Sequence, residues 1–158
     1  MDLMIKVYLD RAQNELLAAD SLMRLSQETQ AKEFFSIEQS TTFYSSVISH
    51  AYYCIFYSAK ATILTKEITT SSPEIHKKTF EEFKSQFVDT GILDVQLLEI
   101  YKKLVIRADE LLEIFKDEKW KRGNFTYKVI PQANKEPAED SIKNARMFLS
   151  NIKRTINI

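Results

Sequence analysis

Residues 42–66 constrain this chain more than any other stretch. Phe43, Tyr44, Val47, Ile48, Ala51, Tyr52, Tyr53, Ile55, Phe56, Tyr57, Ala59, Ala61, Ile63 and Leu64 fall on nearly every side of a helix. A helix that is apolar all round cannot lie at a surface. It is central in a bundle, or it is shared with a second copy of the chain. Four of its residues, Tyr44, Tyr52, Tyr53 and Tyr57, carry hydroxyls that need partners at the rim of that core.

The rest of the sequence supplies helices to surround it. Met4, Tyr8, Ala12, Leu16, Ala19 and Met23 recur in steps of three and four, which predicts an amphipathic helix over about 2–26. Asp10, Arg11, Asn14 and Glu15 fall on its opposite, polar face. Residues 27–42 are mostly polar and read as a helix end and a connection, with Ser40, Thr41 and Thr42 available as caps. Ser72, Pro73 and Glu74 form a start signal for a third helix carrying Ile75, Phe80, Phe83 and Phe87. Gly91 supplies a left-handed stop, and Asp94 can cap a fourth helix with its stripe at Leu97, Tyr101, Leu104, Ala108, Leu111 and Phe115. Periodicity is lost from Lys116 to Glu136, where Gly123 and Pro131 interrupt the chain. A last helix follows Pro137, with Ala138, Ile142, Ala145, Leu149, Ile152 and Ile156 on one face. The expected architecture is all-α: a five-helix up-and-down bundle in one domain over 1–158, with a long loop before the last helix.

Composition narrows the function classes. With 2 Gly and 3 Pro in 158 residues, the chain lacks the turn and phosphate-loop glycines of sandwiches, barrels and Rossmann folds. Its 22 basic and 22 acidic residues give no net charge, which excludes a polycationic nucleic-acid coat and leaves room for a local basic patch. The one cysteine, Cys54, can form no intramolecular disulfide and no zinc site alone, so a reducing compartment is expected. The first residues lack a signal-peptide pattern, and no run of about 18 apolar residues predicts a membrane span. The expectation is a cytoplasmic protein.

Two histidines, His50 and His76, have the side chain best suited to proton transfer near neutral pH. On a core helix and at a helix start, respectively, each also fits a structural role. No His-x-x-x-His or Glu-x-x-His pair supports a metal site, and no glycine-rich loop supports a cofactor; none is expected. Residues 116–128 hold five basic and two acidic side chains, five minus two giving a local charge of +3. Trp120, Phe125 and Tyr127 interleave with Lys119, Lys121, Arg122 and Lys128. Cations for phosphates and aromatic faces for unstacked bases are what single-stranded RNA binding uses. A solvated loop pinned by Trp120 has the same composition.

The segment Ser49-His50-Ala51-Tyr52-Tyr53-Cys54-Ile55-Phe56-Tyr57-Ser58-Ala59-Lys60-Ala61 resembles the central helix of small prokaryotic HEPN (higher eukaryotes and prokaryotes nucleotide-binding) domains. The usual run there is Ser/Asn-Arg-x-Tyr-Tyr-Ala-x-Phe-x-Ala-Ala-Lys/Arg-Ala. His76-Lys77-Lys78, Phe83 and Phe87-Val88-Asp89-Thr90-Gly91-Ile92-Leu93 look like the next block of that family, and Arg107 and 138–152 like its later helices. The resemblance spans about residues 3–153. It departs at His50, where the family has Arg, and at Phe125-Thr126-Tyr127, a displaced remnant of Ala-Asp-Tyr.

The resemblance implies a homodimer, and a minimal nucleotidyltransferase as partner in a toxin–antitoxin-like, RNA- or nucleotide-related system. Many HEPN domains are metal-independent ribonucleases carrying Arg-x4-6-His. None of Arg11, Arg24, Arg107, Arg122, Arg146 or Arg154 precedes a histidine at that spacing. The first reading is therefore a binding module, with Tyr53, Lys119, Trp120, Lys121 and Arg122 as contacts for a nucleotide or RNA. The second is a ribonuclease with a rearranged site drawn from His50, His76 and Arg107. The third is a helical scaffold for another protein's helix. If the basic segment binds RNA, Lys121→Glu with Arg122→Glu weakens binding and flattens its salt dependence in a titration; unchanged affinity removes the segment from the interface.

Overall fold

The computed structural model describes residues 2–126 and 134–158. They form seven α-helices and no strand: α1 (Asp2–Gln27), α2 (Thr29–Phe34), α3 (Tyr44–Leu64), α4 (Ile75–Phe83), α5 (Val95–Leu112), α6 (Glu118–Asn124) and α7 (Lys135–Thr155). A π-helical turn, Lys84–Val88, continues α4. The all-α bundle expected from periodicity is present. Two short helices, α2 and α6, lie where a connection and a loop were expected.

α3 is the central helix. From Val47 to Leu64 only Ser49, His50, Tyr53 and Tyr57 escape full burial. α1, α4, α5 and α7 all pack on it, so most of its circumference is covered within one chain. Ala12 and Ala19 of α1 and Ala51 and Ala59 of α3 are fully buried; with no bulk beyond Cβ, they permit close approach of the two backbones.

The stripe on α1 differs from expectation at its start. Ile5 and Leu9 are buried, whereas Met4 is 45% exposed and Tyr8 is half-buried. Successive steps of four drift about 40° each around a helix of 3.6 residues per turn, so the run 12, 8, 4 walks off the buried face. The run 12, 9, 5 stays on it.

Helix ends follow local chemistry. Gly91 has φ +76°, the left-handed conformation expected of it. The Asp94 side chain accepts from the Gln96 amide at 2.7 Å and caps α5. α4 begins at Ile75 and not at Pro73, because Glu74 sits at φ 59° and breaks the helical path before it. α5 stops at Leu112, where Glu113 turns left-handed at φ 48°. Phe115 nevertheless stays buried, its amide held by the buried Asp109 carboxylate at 2.9 Å. α7 begins two residues before Pro137, which a first turn tolerates because it asks for no N–H there.

Phe83, Tyr101 and Phe148 join α4, α5 and α7. Their ring centroids lie 5.4 to 5.8 Å apart, and all three side chains are fully buried. Phe83→Ala is expected to destabilise the fold by about 3–5 kcal/mol in urea unfolding, and Asp94→Ala, which removes only a cap, by about 1 kcal/mol.

Candidate functional site

The one strip of α3 that reaches solvent along its packed length meets a matching strip of α1. Positions 50, 53 and 57 repeat in steps of three and four and share a helix face. So do Glu15, Arg11 and Tyr8, running the opposite way on α1. The side chains meet as rungs. Glu15 Oε2 lies 2.5 Å from His50 Nδ1. The Arg11 guanidinium sits 5.0 Å from the Tyr57 ring centroid. Tyr8 and Tyr57 are stacked at 6.3 Å. Lys60 closes the row, 5.0 Å from the Tyr8 ring and donating to the Thr70 carbonyl at 3.2 Å.

The first rung has chemical consequences. An ionised carboxylate only accepts, so the proton between the two groups belongs to His50 Nδ1. Nε2 is then the basic nitrogen of the ring. The side chains of His50 and Glu15 are 37% and 27% exposed, so the dyad is reachable. Tyr53 stands beside it, half-buried among Tyr52, Phe56 and Tyr57. Burial, with Tyr57 and Glu15 nearby, pushes its hydroxyl pKa up, so Tyr53 offers a neutral O–H.

His76 is a different kind of histidine. Its ring packs among Phe56 at 4.4 Å, Tyr52, Tyr53 and Phe115. Burial first, and Lys60 second, push its pKa down to about 4, so it is neutral at pH 7. The fully buried Tyr52 hydroxyl lies 2.9 Å from His76 Nδ1. Burial raises the Tyr52 pKa far above its ordinary value, and donation to Nδ1 is the hydrogen bond its proton makes. Nε2 of His76 therefore carries the ring's hydrogen.

Arg107 is engaged elsewhere. Its side chain is 11% exposed, and Nη1 donates to Asp140 Oδ2 at 2.9 Å, Ser141 Oγ at 3.0 Å and the Pro137 carbonyl at 3.4 Å. It ties α5 to the first two turns of α7. Burial tends to raise the Asp140 carboxyl pKa, but Arg107 and Lys103 hold it below the usual range. The three residues offered by the sequence for a rearranged site thus have three separate sets of partners. The cations on the His50 strip are Arg11 and Lys60.

The basic segment is partly structural. Trp120 stacks on Phe115 at 5.5 Å with planes 8° apart and meets Phe80 and Phe125 edge-on. Lys121 pairs with the buried Asp109 at 3.1 Å and with Glu118 at 3.2 Å. Lys119 and Arg122 are exposed. Tyr127, Lys128 and Pro131 lie outside the described residues. Charge reversal at Lys121 breaks a buried ion pair, so reversal of Lys119 and Arg122 is the cleaner probe of that surface.

Arg11, Glu15, Tyr8 and Tyr57 were not singled out by sequence. Arg11 and Glu15 are one turn apart on the polar face of α1, and periodicity does not distinguish a polar face in solvent from one lining a seam. Among the described residues, no group of three or more His, Cys, Asp or Glu side chains is placed to hold a metal ion.

The HEPN domain family profile matches residues 27–155. The chain belongs to the HEPN family. Two relatives in Methanocaldococcus jannaschii bear on this HEPN domain. One, named "Putative toxin MJ0605", is 32% identical over 113 residues, covering 72% of this chain and 71% of its own length. The other, named "Putative toxin MJ0142", is 30% identical over 115 residues, covering 73% and 67%. No solved structure matches the chain significantly. The matched HEPN span opens at the end of α1, so Arg11 and Glu15 precede it. No described helix is long and apolar enough to cross a membrane.

The His76 environment predicts a pH effect on folding. Unfolded, this histidine takes a proton near pH 6.5; folded, near pH 4. Between those values the unfolded state binds more protons, so stability is full above pH 6.5 and declines as pH falls toward 4. Urea midpoints measured at pH 7 and pH 4.5 should separate further in the wild type than in His76→Phe.

Proposed function

We propose that this HEPN protein is a toxin-type component acting on RNA, and that the α1/α3 strip centred on His50 and Glu15 is its reactive site. The observation that carries the reading is the 2.5 Å Glu15–His50 pair on a half-exposed face, with Arg11 and two tyrosines beside it. The names of the two relatives support the toxin-type role.

In this reading His50 Nε2 takes the proton of a ribose 2′-hydroxyl. The 2′-oxygen then attacks the adjacent phosphorus. The 5′-oxygen leaves and takes a proton back, giving a 2′,3′-cyclic phosphate and a 5′-hydroxyl. Glu15 holds the ring in the required tautomer and stabilises its charged form. Arg11 offsets charge on the phosphate, and Tyr53 and Tyr57 supply aromatic faces and neutral hydroxyls to the strand. No step needs a metal. The Arg-x4-6-His spacing of the family is replaced by a cation and a histidine on two helices.

A toxin of this kind works under restraint. The same proposal includes a minimal nucleotidyltransferase-type partner and a homodimer, as the resemblance implies. Tyr53, Lys119, Trp120, Lys121 and Arg122 were the contacts expected of a pure binding module. Of these, Tyr53 lies on the strip, and Lys119 and Arg122 are exposed cations outside it. The module reading keeps that surface and drops the chemistry.

The deciding experiment is cleavage of end-labelled structured RNA in excess chelator. The wild type should leave 2′,3′-cyclic phosphate ends. His50→Ala should lower the rate by about 10²–10⁴-fold, the usual worth of a positioned acid–base group, and Glu15→Gln should lower it while leaving the fold intact. Arg107→Ala should alter stability more than rate per folded molecule. Cleavage that survives His50→Ala sinks the assignment of the site. A wild type that binds RNA without cutting it establishes the module reading.

A further inference from the structure

A concavity separate from the α1/α3 strip opens at the start of α4. None of its lining residues belongs to α1 or α3. Its volume is about 270 Å³. That is just below the ~300 Å³ at which pockets begin to hold drug-sized ligands, so it suits one or two fused rings and not an extended chain.

One side of it is apolar and held in place. Pro73, Ile114, Phe115 and Trp120 line it. Phe115 is held through its amide by buried Asp109. Trp120 is held through its amide by Asp117, whose side chain accepts at 3.1 Å and caps α6. The Trp120 amide is also the main reason the Asp117 carboxyl lies below its usual pKa range. The two rings stack with their planes nearly parallel.

His76 is the uncharged polar side chain of the lining, which also includes Glu74, Lys77, Lys116 and Asp117. Tyr52 occupies its Nδ1, so the free edge of the ring is the Nε2–H donor. That donor has no hydrogen-bond partner among the described residues. At the rim, Lys77 lies between Glu74 at 3.8 Å and Asp117 at 3.5 Å, and Lys116 is exposed. Two cations and two carboxylates balance, so the rim favours neither anion nor cation. A pure hydrocarbon ring would fill the walls and leave the N–H unpaired and desolvated, which costs binding energy.

We propose that this pocket binds an uncharged planar heteroaromatic ring of one or two fused rings. An acceptor on the ring edge accepts a hydrogen bond from His76 Nε2–H while the ring lies against the Phe115–Trp120 wall. The proposal is independent of the cleavage reading, since no member of the Glu15–His50 strip lines the pocket.

Trp120 is the single tryptophan of the chain, so intrinsic fluorescence reports on the pocket directly. Adenine should change that fluorescence saturably, at roughly tenfold lower concentration than toluene, the worth of one neutral hydrogen bond. His76→Phe should weaken adenine roughly tenfold and leave toluene unchanged. His76→Gln, which keeps an N–H donor, should recover part of the difference. Equal responses to adenine and toluene in the wild type overturn the proposal, as does adenine affinity that is indifferent to His76→Phe. Tighter response to p-cresol than to adenine assigns the pocket to a protein side chain and overturns it too. Should His76→Phe fail to fold, the His76 imidazole NMR signals of the wild type decide: they must shift with adenine, and unmoved signals refute the contact.

Discussion

The burial of α3 is the constraint on which everything else rests. A helix sheathed on nearly all sides leaves its own polar groups no water to turn to. Each must find a partner inside the bundle. Ser58 donates to the Cys54 carbonyl and Thr62 to the Ser58 carbonyl, each one turn back along the same helix. Tyr52 is too long for that solution and must reach another element. It finds His76 on α4, and that bond fixes which nitrogen of His76 carries hydrogen. The demands of the core therefore reach a side chain that itself faces a pocket.

The same constraint shapes the reactive strip. α1 covers α3 through a seam of small residues, and that seam has an edge. At the edge the side chains are half in solvent, so charge is tolerated and still partly desolvated. A carboxylate and an imidazole placed there hold a strong hydrogen bond without a fully buried charge. His76, deeper and beside Lys60, stays neutral, whereas His50 has a carboxylate at its side. Two histidines on one small bundle thus have opposite electrostatic neighbours.

Much of the fold was legible in the residues. The all-round apolar run gave the central helix, Gly91 and Asp94 marked a stop and a start, and the heptad-like spacing of 138–156 marked the last helix. What was missed has local causes. The start of α1 drifted because steps of four overshoot the helical period. α4 began late because Glu74 adopts a left-handed conformation that no start signal foretells. α6 escaped notice because it is shorter than two full repeats and is held by a buried ion pair from Lys121 to Asp109, twelve residues away. The strip was half legible. His50 and Tyr53 stood out within their motif, but Glu15 and Arg11 looked like any solvated helix face. Only the antiparallel register of two helices turns those four residues into neighbours. Arg107 stood out for the opposite reason: an arginine in a motif position can equally be a strut between helices.

The narrowness of the solvent strip on α3 has a consequence for how such a protein diversifies. Past Ser49, that helix offers three side chains to the outside, His50, Tyr53 and Tyr57, and every other position answers to the core. Exchange at those three half-exposed positions disturbs the packing less than exchange anywhere else on the helix. Lineages built on this bundle can then trade one chemistry for another, or lose chemistry altogether, in a few substitutions and without relearning how to fold.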